Sequence, residues 1–157
     1  MNDSLDRKIQ EICSGIRIEQ VEPQSESTLA QRKKLIDSVK QSNQWIDLYD
    51  NPAQFRFFGW LSESEDIVGM ASLIKSSIEG TYGLSYIVHP DFRRRGVATA
   101  VATHAVESAK TDEKVKTIYA HVRPNTPSEK IVKNLGFGLI GPPIEGSENL
   151  TYLLRVK

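Results

Sequence analysis

One stretch restricts the chain more than any other: Val88-His89-Pro90-Asp91-Phe92-Arg93-Arg94-Arg95-Gly96-Val97-Ala98-Thr99. An apolar run, Leu84 to Val88, leads into it, and a segment with an alanine-rich face, Val97 to Lys110, leads out. The pattern reads as strand, basic glycine turn, helix. The first amides of a helix lack partners within the helix, and the dipole places partial positive charge there. A phosphate or pyrophosphate satisfies both. Gly96 has no Cβ, so the backbone can come close to a ligand. Ala98 is nearly as small, and Arg93, Arg94 and Arg95 add positive charge that steers an anion inward. The Gly-Lys-Ser/Thr ending of a nucleotide-hydrolase loop is missing, as are the three spaced glycines of a dinucleotide fingerprint.

The rest of the chain narrows the ligand. Its 157 residues suit one domain with a real core. Lys plus Arg equals Asp plus Glu at 20 each, which argues against a general nucleic-acid binder. The single cysteine, Cys13, allows no internal disulfide and suits a reducing compartment. No apolar run approaches the length of a membrane span, and the N-terminus has no secretory apolar core. The expectation is a cytoplasmic protein with no membrane and no nucleic-acid partner. No cluster of His, Cys and carboxylate has metal-ligand spacing, so no metal is expected.

Periodicity places the elements. Ser4 can cap a first helix that Gly15 ends, so residues 1–15 read as an extra N-terminal helix. Ile16 to Val21 alternates as a strand stopping at Pro23, and Leu29 to Gln41 carries a helical stripe. Asn43 to Asn51 carries Trp45, Ile46, Leu48 and Tyr49 and ends at Asn51-Pro52, and one reading of it is a second short helix packing on the core. Phe55 to Trp60, Ile67 to Ser76 and Tyr82 to His89 read as strands joined by short turns, hence antiparallel neighbours. Gly69, Ala71 and Ser72 are small, which points to close packing or a nearby ligand. Val97 to Lys110 is a helix burying Val97, Val101, Ala102, Ala105, Val106 and Ala109, and Thr117 to Val122 is a strand. Strand, helix, strand predicts a parallel pair. Thr126-Pro127-Ser128-Glu129 is a capping box with proline at the first helical position, and Gly136 stops the helix it starts. Phe137 to Ile140 and Leu150 to Val156 are closing strands. The fold class is α+β, a mixed, mostly antiparallel central sheet flanked by helices, in one domain spanning residues 1–157.

Arg93-x-x-Gly96-x-Ala98 after a Val-x-Pro strand end resembles the acyl-coenzyme A loop of the GNAT N-acetyltransferases. Asn125-x-x-Ser128 followed by Leu135-Gly136-Phe137 is similar to their second motif, above all in the ribosomal-protein N-terminal acetyltransferases and their relatives. The element order matches from about Ile16 to Val156, and the resemblance implies the second reading of Asn43 to Asn51, a part of the variable acceptor-binding region. The resemblance implies acetyl-coenzyme A as acyl donor, held at its pyrophosphate by the amides of Arg94 to Thr99. It implies a pantetheine arm lying as an extra strand between the strands ending at Val88 and Val122. Main-chain groups of Ile87 and Val88 pair with that arm, an amide at about Val88 polarises the thioester carbonyl, and Asn125 and Ser128 reach the arm from the second junction. GNAT-like domains are often dimeric, so a monomer or homodimer is expected.

Two departures from the pattern bear on mechanism. Many GNAT enzymes carry a tyrosine seven residues after the asparagine, which protonates the leaving thiolate. Here that residue is Val132. Many also carry a glutamate near the start of the fourth strand, where this chain reads Thr81-Tyr82-Gly83-Leu84-Ser85. The remaining candidates for proton transfer are Ser128, Glu79 and His121. A thiol has pKa about 8.5 and needs only a weak donor as it leaves. An α-amine, with pKa about 7.7–8.0, is appreciably neutral at physiological pH, whereas lysine, near 10.4, is not. A chain without a strong base thus suits a peptide α-amine or another weakly basic amine, small or peptidic. The reading is direct acetyl transfer from acetyl-coenzyme A to a primary amine. The alternative is an acyl-coenzyme A-binding sensor or interaction domain without catalysis.

Overall fold

In a computed structural model, the alternating apolar segments assemble into one seven-stranded sheet in the order β1-β2-β3-β4-β5-β7-β6. The strands are β1 Ile16–Gln20, β2 Phe55–Leu61, β3 Ile67–Lys75, β4 Thr81–Val88, β5 Thr117–Val122, β6 Gly138–Leu139 and β7 Leu150–Arg155. Two α-helices are described from end to end, α1 Val97–Thr111 and α2 Pro127–Asn134. The structure describes residues 16–20, 35, 55–61, 67–94, 96–141 and 146–157, of which β1 and β2, apart from Gly59, are described as backbone. The helix expected over residues 1–15, the Asn43–Asn51 segment, the Ser62–Asp66 turn, Arg95 and Pro142-Pro143 lie outside the described residues. So does the Leu29–Gln41 helix, save for Leu35, which is helical and buried.

Neighbouring strands are antiparallel except β4 and β5, which run parallel on either side of α1 in the chain. This is the mixed, mostly antiparallel sheet anticipated. Chain order alone did not decide which closing strand would lie beside β5. It is the last one, β7, and β6 takes the edge. The strand expected over Phe137–Ile140 shrinks to two residues, Phe137 giving its N–H to Val132 C=O at the end of the preceding helix at 3.0 Å.

α1 crosses β2, β3 and β4. It buries all six residues expected, and Ala100 and Thr103 as well. A buried valine is worth about 1.5–3 kcal/mol over an exposed one. The helix's surface pair, Lys110 Nζ to Glu107 Oε1 at 3.0 Å, is worth about 0.2–0.5 kcal/mol. Apolar burial therefore seats the helix. Val101, Ala102, Ala105, Val106 and Ala109 join Leu73, Leu84, Ile118, Ala120, Val132, Phe137 and Tyr152 in the main core.

Gly69 sets how close α1 comes. A Cβ there would lie 2.5 Å from Val97 Cγ1, well inside contact distance. Gly69 thus serves close packing against the first turn of α1, one of the two readings the sequence left open for this stretch.

The β3–β4 turn fixes the register of β4. Ser76 N–H donates to Thr81 C=O at 3.0 Å, Thr81 N–H to Ile78 C=O at 3.1 Å, and Gly80 takes φ 77°. The Ser76 hydroxyl meets both the N–H and the C=O of Ile78 at 3.1 Å.

Gly69→Ala should cost about 1–3 kcal/mol, the usual range for overpacking. Pairing it with Val97→Ala should cost less than the sum of the two single changes, because the second removes the methyl groups that the first strikes. Chemical denaturation of the four proteins of this cycle checks both statements, and additive effects would count against the contact.

Candidate active site

The site begins where β4 and β5 stop pairing. Their parallel register comprises Thr81↔Thr117, Tyr82↔Ile118 and Gly83↔Tyr119. β4 continues to Val88 and β5 to Val122, so the strands part over their C-terminal halves. Below the fork, Gly80 C=O accepts from the N–H groups of Lys116 and Thr117 at 2.8 and 3.0 Å. At the fork itself, the Tyr119 ring lies over Gly83, where a Cβ would come within 3.0 Å of it.

The β3 ladder decides which groups of β4 face the gap. In an antiparallel pair, opposed residues alternate between exchanging both backbone hydrogen bonds and exchanging none. His89 N–H donates to Val68 C=O at 2.8 Å, and these two continue the register Gly69↔Val88, Met70↔Ile87, Ala71↔Tyr86. Ile87 is therefore bonded to β3, while Tyr86 and Val88 turn their N–H and C=O toward the gap. The expectation that Ile87 and Val88 offer main-chain groups divides accordingly. Val88 does so, Ile87 contributes lining, and the second strand residue facing the gap is Tyr86.

A cleft of about 740 Å³ occupies this gap. It gathers Ile87, Val88, Arg93, Arg94, Gly96, Val97, Ala98, Thr99 and Ser128 from the residues singled out in the sequence. Arg95 lies outside the described residues. Three side chains of the lining are basic, Arg93, Arg94 and Lys130, and among the described residues none is acidic. The cleft thus favours an anion at its outer end and uncharged groups deeper in.

That outer end is built by the turn between β4 and α1. His89 Nδ1 accepts from Asp91 N–H at 3.2 Å and so caps the single 3₁₀ turn Pro90–Phe92. This gives His89 a structural task. The chain enters the left-handed region at Arg94 (φ 64°) and again at Gly96 (φ 78°). Gly96 tolerates that conformation, whereas a residue with a Cβ meets a cost of roughly 1–2 kcal/mol. Gly96 is the N-cap of α1, and no side chain caps the helix among the described residues. Its first-turn amides, Val97 to Thr99, thus open onto the cleft beside two arginines. The fit to a pyrophosphate rests on these amides, the left-handed glycine and the basic rim.

The opposite wall comes from the β5–α2 junction. Asn125 is left-handed, φ 61°, the one non-glycine residue besides Arg94 with positive φ among those described. Thr126 caps α2, accepting from Glu129 N–H at 3.4 Å and donating to Arg123 C=O at 2.7 Å. The capping box forms with a shift, since Glu129 Oε1 accepts from the N–H of Asn125 at 3.2 Å rather than from that of Thr126. Glu129 Oε2 accepts from the Tyr152 hydroxyl on β7 at 2.9 Å, and Lys133 Nζ lies 3.7 Å from Oε1. The Tyr152 hydrogen bond, and then the Asn125 amide, hold the Glu129 carboxyl below its ordinary pKa. Burial, and then Glu129, push the Tyr152 phenol up. Thr126, Pro127 and Ser128 line the cleft, while Asn125 stands behind them as the bend that presents them.

The remaining candidates fall elsewhere. Glu79 is exposed in the β3–β4 turn, at the far end of β4 from the cleft. His121 is exposed on the sheet face opposite the main core, with Nδ1 2.9 Å from Thr151 Oγ1 and its ring 5.2 Å from that of Tyr119. Val132 is fully buried in the core. Among the described residues no group of His, Cys and carboxylates could hold a metal ion. Among the described helices none is long and apolar enough to cross a membrane.

Tyr86, Phe92, Lys130, Ile131 and Asn134 also line the cleft and were not singled out in the sequence. The last three lie three, four and seven residues after Pro127, the spacing of one helical face and a signal the sequence carried. Tyr86 shares the parity of Val88, but nothing in the chain alone says which parity faces the gap. Its hydroxyl donates to Ser128 C=O at 3.2 Å, tying β4 to α2 across the divergence. Burial raises its pKa, opposed more weakly by contact with Ser128.

A family model described as the acetyltransferase (GNAT) family matches residues 20–137, well over half of the chain. The chain belongs to the GNAT acetyltransferase family and is by class an acyl-coenzyme A-dependent N-acetyltransferase. The acetyltransferase (GNAT family) from Bacillus anthracis superposes with a TM-score of 0.62 at 18% identity, over 92% of this chain and 96% of that one. A ribosomal-protein alanine acetyltransferase from Vibrio fischeri gives 0.68 at 12% identity, over 90% and 93%. A dodecameric spermidine N-acetyltransferase from Vibrio cholerae gives 0.64 at 16%, over 91% and 95%. At these identities the likeness is one of fold. Among curated proteins, none matches the chain.

Replacing Glu129 by Gln should weaken the junction. A carboxyl with a depressed folded pKa adds stability that is complete above its ordinary value of about 4.5 and is lost as pH falls through the folded value. The wild type should therefore lose more of its melting temperature between neutral pH and pH 3 than Glu129→Gln does. Parallel pH curves would contradict the role assigned to Glu129.

Proposed function

We propose that this protein moves an acetyl group from acetyl-coenzyme A to a primary amine by direct attack, with a peptide or protein α-amine as the favoured acceptor class. The observation that carries the reading is the fork between β4 and β5. An extended amide-bearing arm entering it meets the main-chain groups of Tyr86 and Val88, as a strand added to a sheet edge does. The same arm leads outward to the first-turn amides of α1 and to Arg93 and Arg94, where a pyrophosphate is held. Arg95, between Arg94 and Gly96 in the sequence, adds a further positive charge to this stretch, and Asn125 shapes the wall opposite. When bound, the coenzyme supplies the activated acyl group. An amide of Tyr86 or Val88 polarises its carbonyl as an oxyanion site.

For proton transfer, Ser128 is the hydroxyl of the second junction, within the cleft. His121 stands beyond the fork on the other face of the sheet, its ring oriented by Thr151, and takes a proton from an amine approaching on that side. Glu79 is left out, because the whole of β4 separates it from the cleft. The acceptor class follows from the same inventory. With no carboxylate lining the cleft among the described residues, an amine of pKa about 7.7–8.0 reacts more readily than one near 10.4. The dodecameric neighbour is a spermidine acetyltransferase and another acts on a ribosomal protein, so small and protein acceptors both occur among proteins of this fold.

Calorimetric titration with acetyl-coenzyme A should show binding to the wild type and none to Gly96→Trp, whose indole would fill the turn and disfavour its left-handed backbone. The wild type should then acetylate peptides with free N-termini faster than spermidine or N-terminally blocked lysine peptides. Binding unaffected by Gly96→Trp would refute the coenzyme site. A preference for lysine would refute the acceptor class and leave the site standing.

A further inference from the structure

We infer that the Tyr86 hydroxyl is the hydrogen-bond donor to the departing thiolate sulfur. The inference rests on the acyl-coenzyme A reading above and assigns a task to a side chain of that cleft.

Direction comes first. The anion-binding end lies at the C-terminal end of β4, beside Gly96 and the start of α1. An arm that starts there and runs back along β4 passes Val88 and then Tyr86. Tyr86 is the deepest residue of β4 that lines the cleft, three positions above Gly83, where β4 and β5 still pair. The thioester is at the far end of the arm from the pyrophosphate, so it comes to rest by Tyr86. The Tyr86 N–H faces the gap there, and the phenol of the same residue lines the same cleft.

The phenol is also held in place. Its oxygen lies 3.2 Å from Ser128 C=O, which pins the ring across the fork. Rotation about the C–O bond redirects the hydrogen without moving the ring. Burial raises its pKa, so it keeps its proton at neutral pH. The other uncharged hydroxyls of the lining, on Thr99, Thr126 and Ser128, belong to the helix starts. α2 supplies no such group one turn further on, because Val132 is fully buried.

The step balances as follows. The amine nitrogen forms its bond to the acyl carbon while the carbon–sulfur bond breaks, and that bond's electron pair goes to sulfur. The Tyr86 O–H turns from Ser128 to the sulfur and stabilises the thiolate by a charge-assisted hydrogen bond. The proton shed by the amine passes to His121 and on to solvent, which returns one to the thiolate. Tyr86 keeps its own proton throughout. This suits a phenol less acidic than the thiol, at about 10 against about 8.5.

The test needs no acceptor. Free coenzyme A is bound to the wild type and to Tyr86→Phe, and the pKa of the bound thiol is read from thiolate absorbance across pH. A donor aimed at sulfur should hold that pKa lower in the wild type than in the variant by about one unit or more, the size expected of a hydrogen bond to a charged group. Equal values in the two complexes would overturn the assignment. Should Tyr86→Phe bind coenzyme A more weakly, the desulfo analogue decides the matter. Unchanged affinity for the analogue supports a contact with sulfur, and an equal loss for both ligands makes the phenol structural. Absence of coenzyme binding to the wild type would overturn the acyl-coenzyme reading itself, a result distinct from all of these.

Discussion

Two parallel strands that pair for three residues and then separate leave a row of backbone groups facing an opening inside the sheet. Buried N–H and C=O groups are almost always paired. The groups that Val88 turns toward the opening therefore call for water or for a ligand shaped like a strand. The rest of the cleft is arranged around this need. α1 begins at the outer end of the opening and offers further amides, and the arginine turn adds charge where that helix starts. The β5–α2 junction forms the facing wall. Recognition comes mainly from main chain, with side chains setting the distance between the walls.

Packing sets that distance. Gly69 lets Val97 settle onto β3, which brings the first turn of α1 down to the sheet. On the other wall, Glu129 gathers the Asn125 amide, the Tyr152 hydroxyl and Lys133, and so binds a left-handed bend, a strand and a helix into one unit. Val132 and Phe137 fix the inner side of α2 in the core shared with α1. Each wall is rigid for its own reason. The direct side-chain tie found between them is the hydroxyl of Tyr86 on Ser128.

Much of this was legible in the chain. The alternation in β3 and β4, the alanine face of α1 and the Thr126–Glu129 box are local patterns, and local patterns survive folding when apolar burial agrees with them. The glycine turn was legible because an anion-binding helix start depends on backbone and little else. Three things were not legible. The place of β7 beside β5 depends on which closing strand better covers the core, a long-range matter. The parity that turns Tyr86, and not Ile87, toward the opening depends on how β4 pairs with β3. Glu129 read as half of a capping box, but its bond to Tyr152 joins residues 23 apart in the chain.

The β3–β4 turn has a consequence at the other end of its strand. Side chains and backbone groups both alternate along a strand, so slipping β4 by one residue exchanges every role it has. Ile87 would then present its amide to the opening, Tyr86 would bond to β3, and the phenol would move to the opposite face. The few residues from Ser76 to Gly80 prevent this by closing the turn at one length. An insertion or deletion there, far from any bound anion and without altering one lining residue, would rewrite which atoms the cleft displays. The spacing of that turn is in this sense a part of the recognition code, read at a distance through the strand.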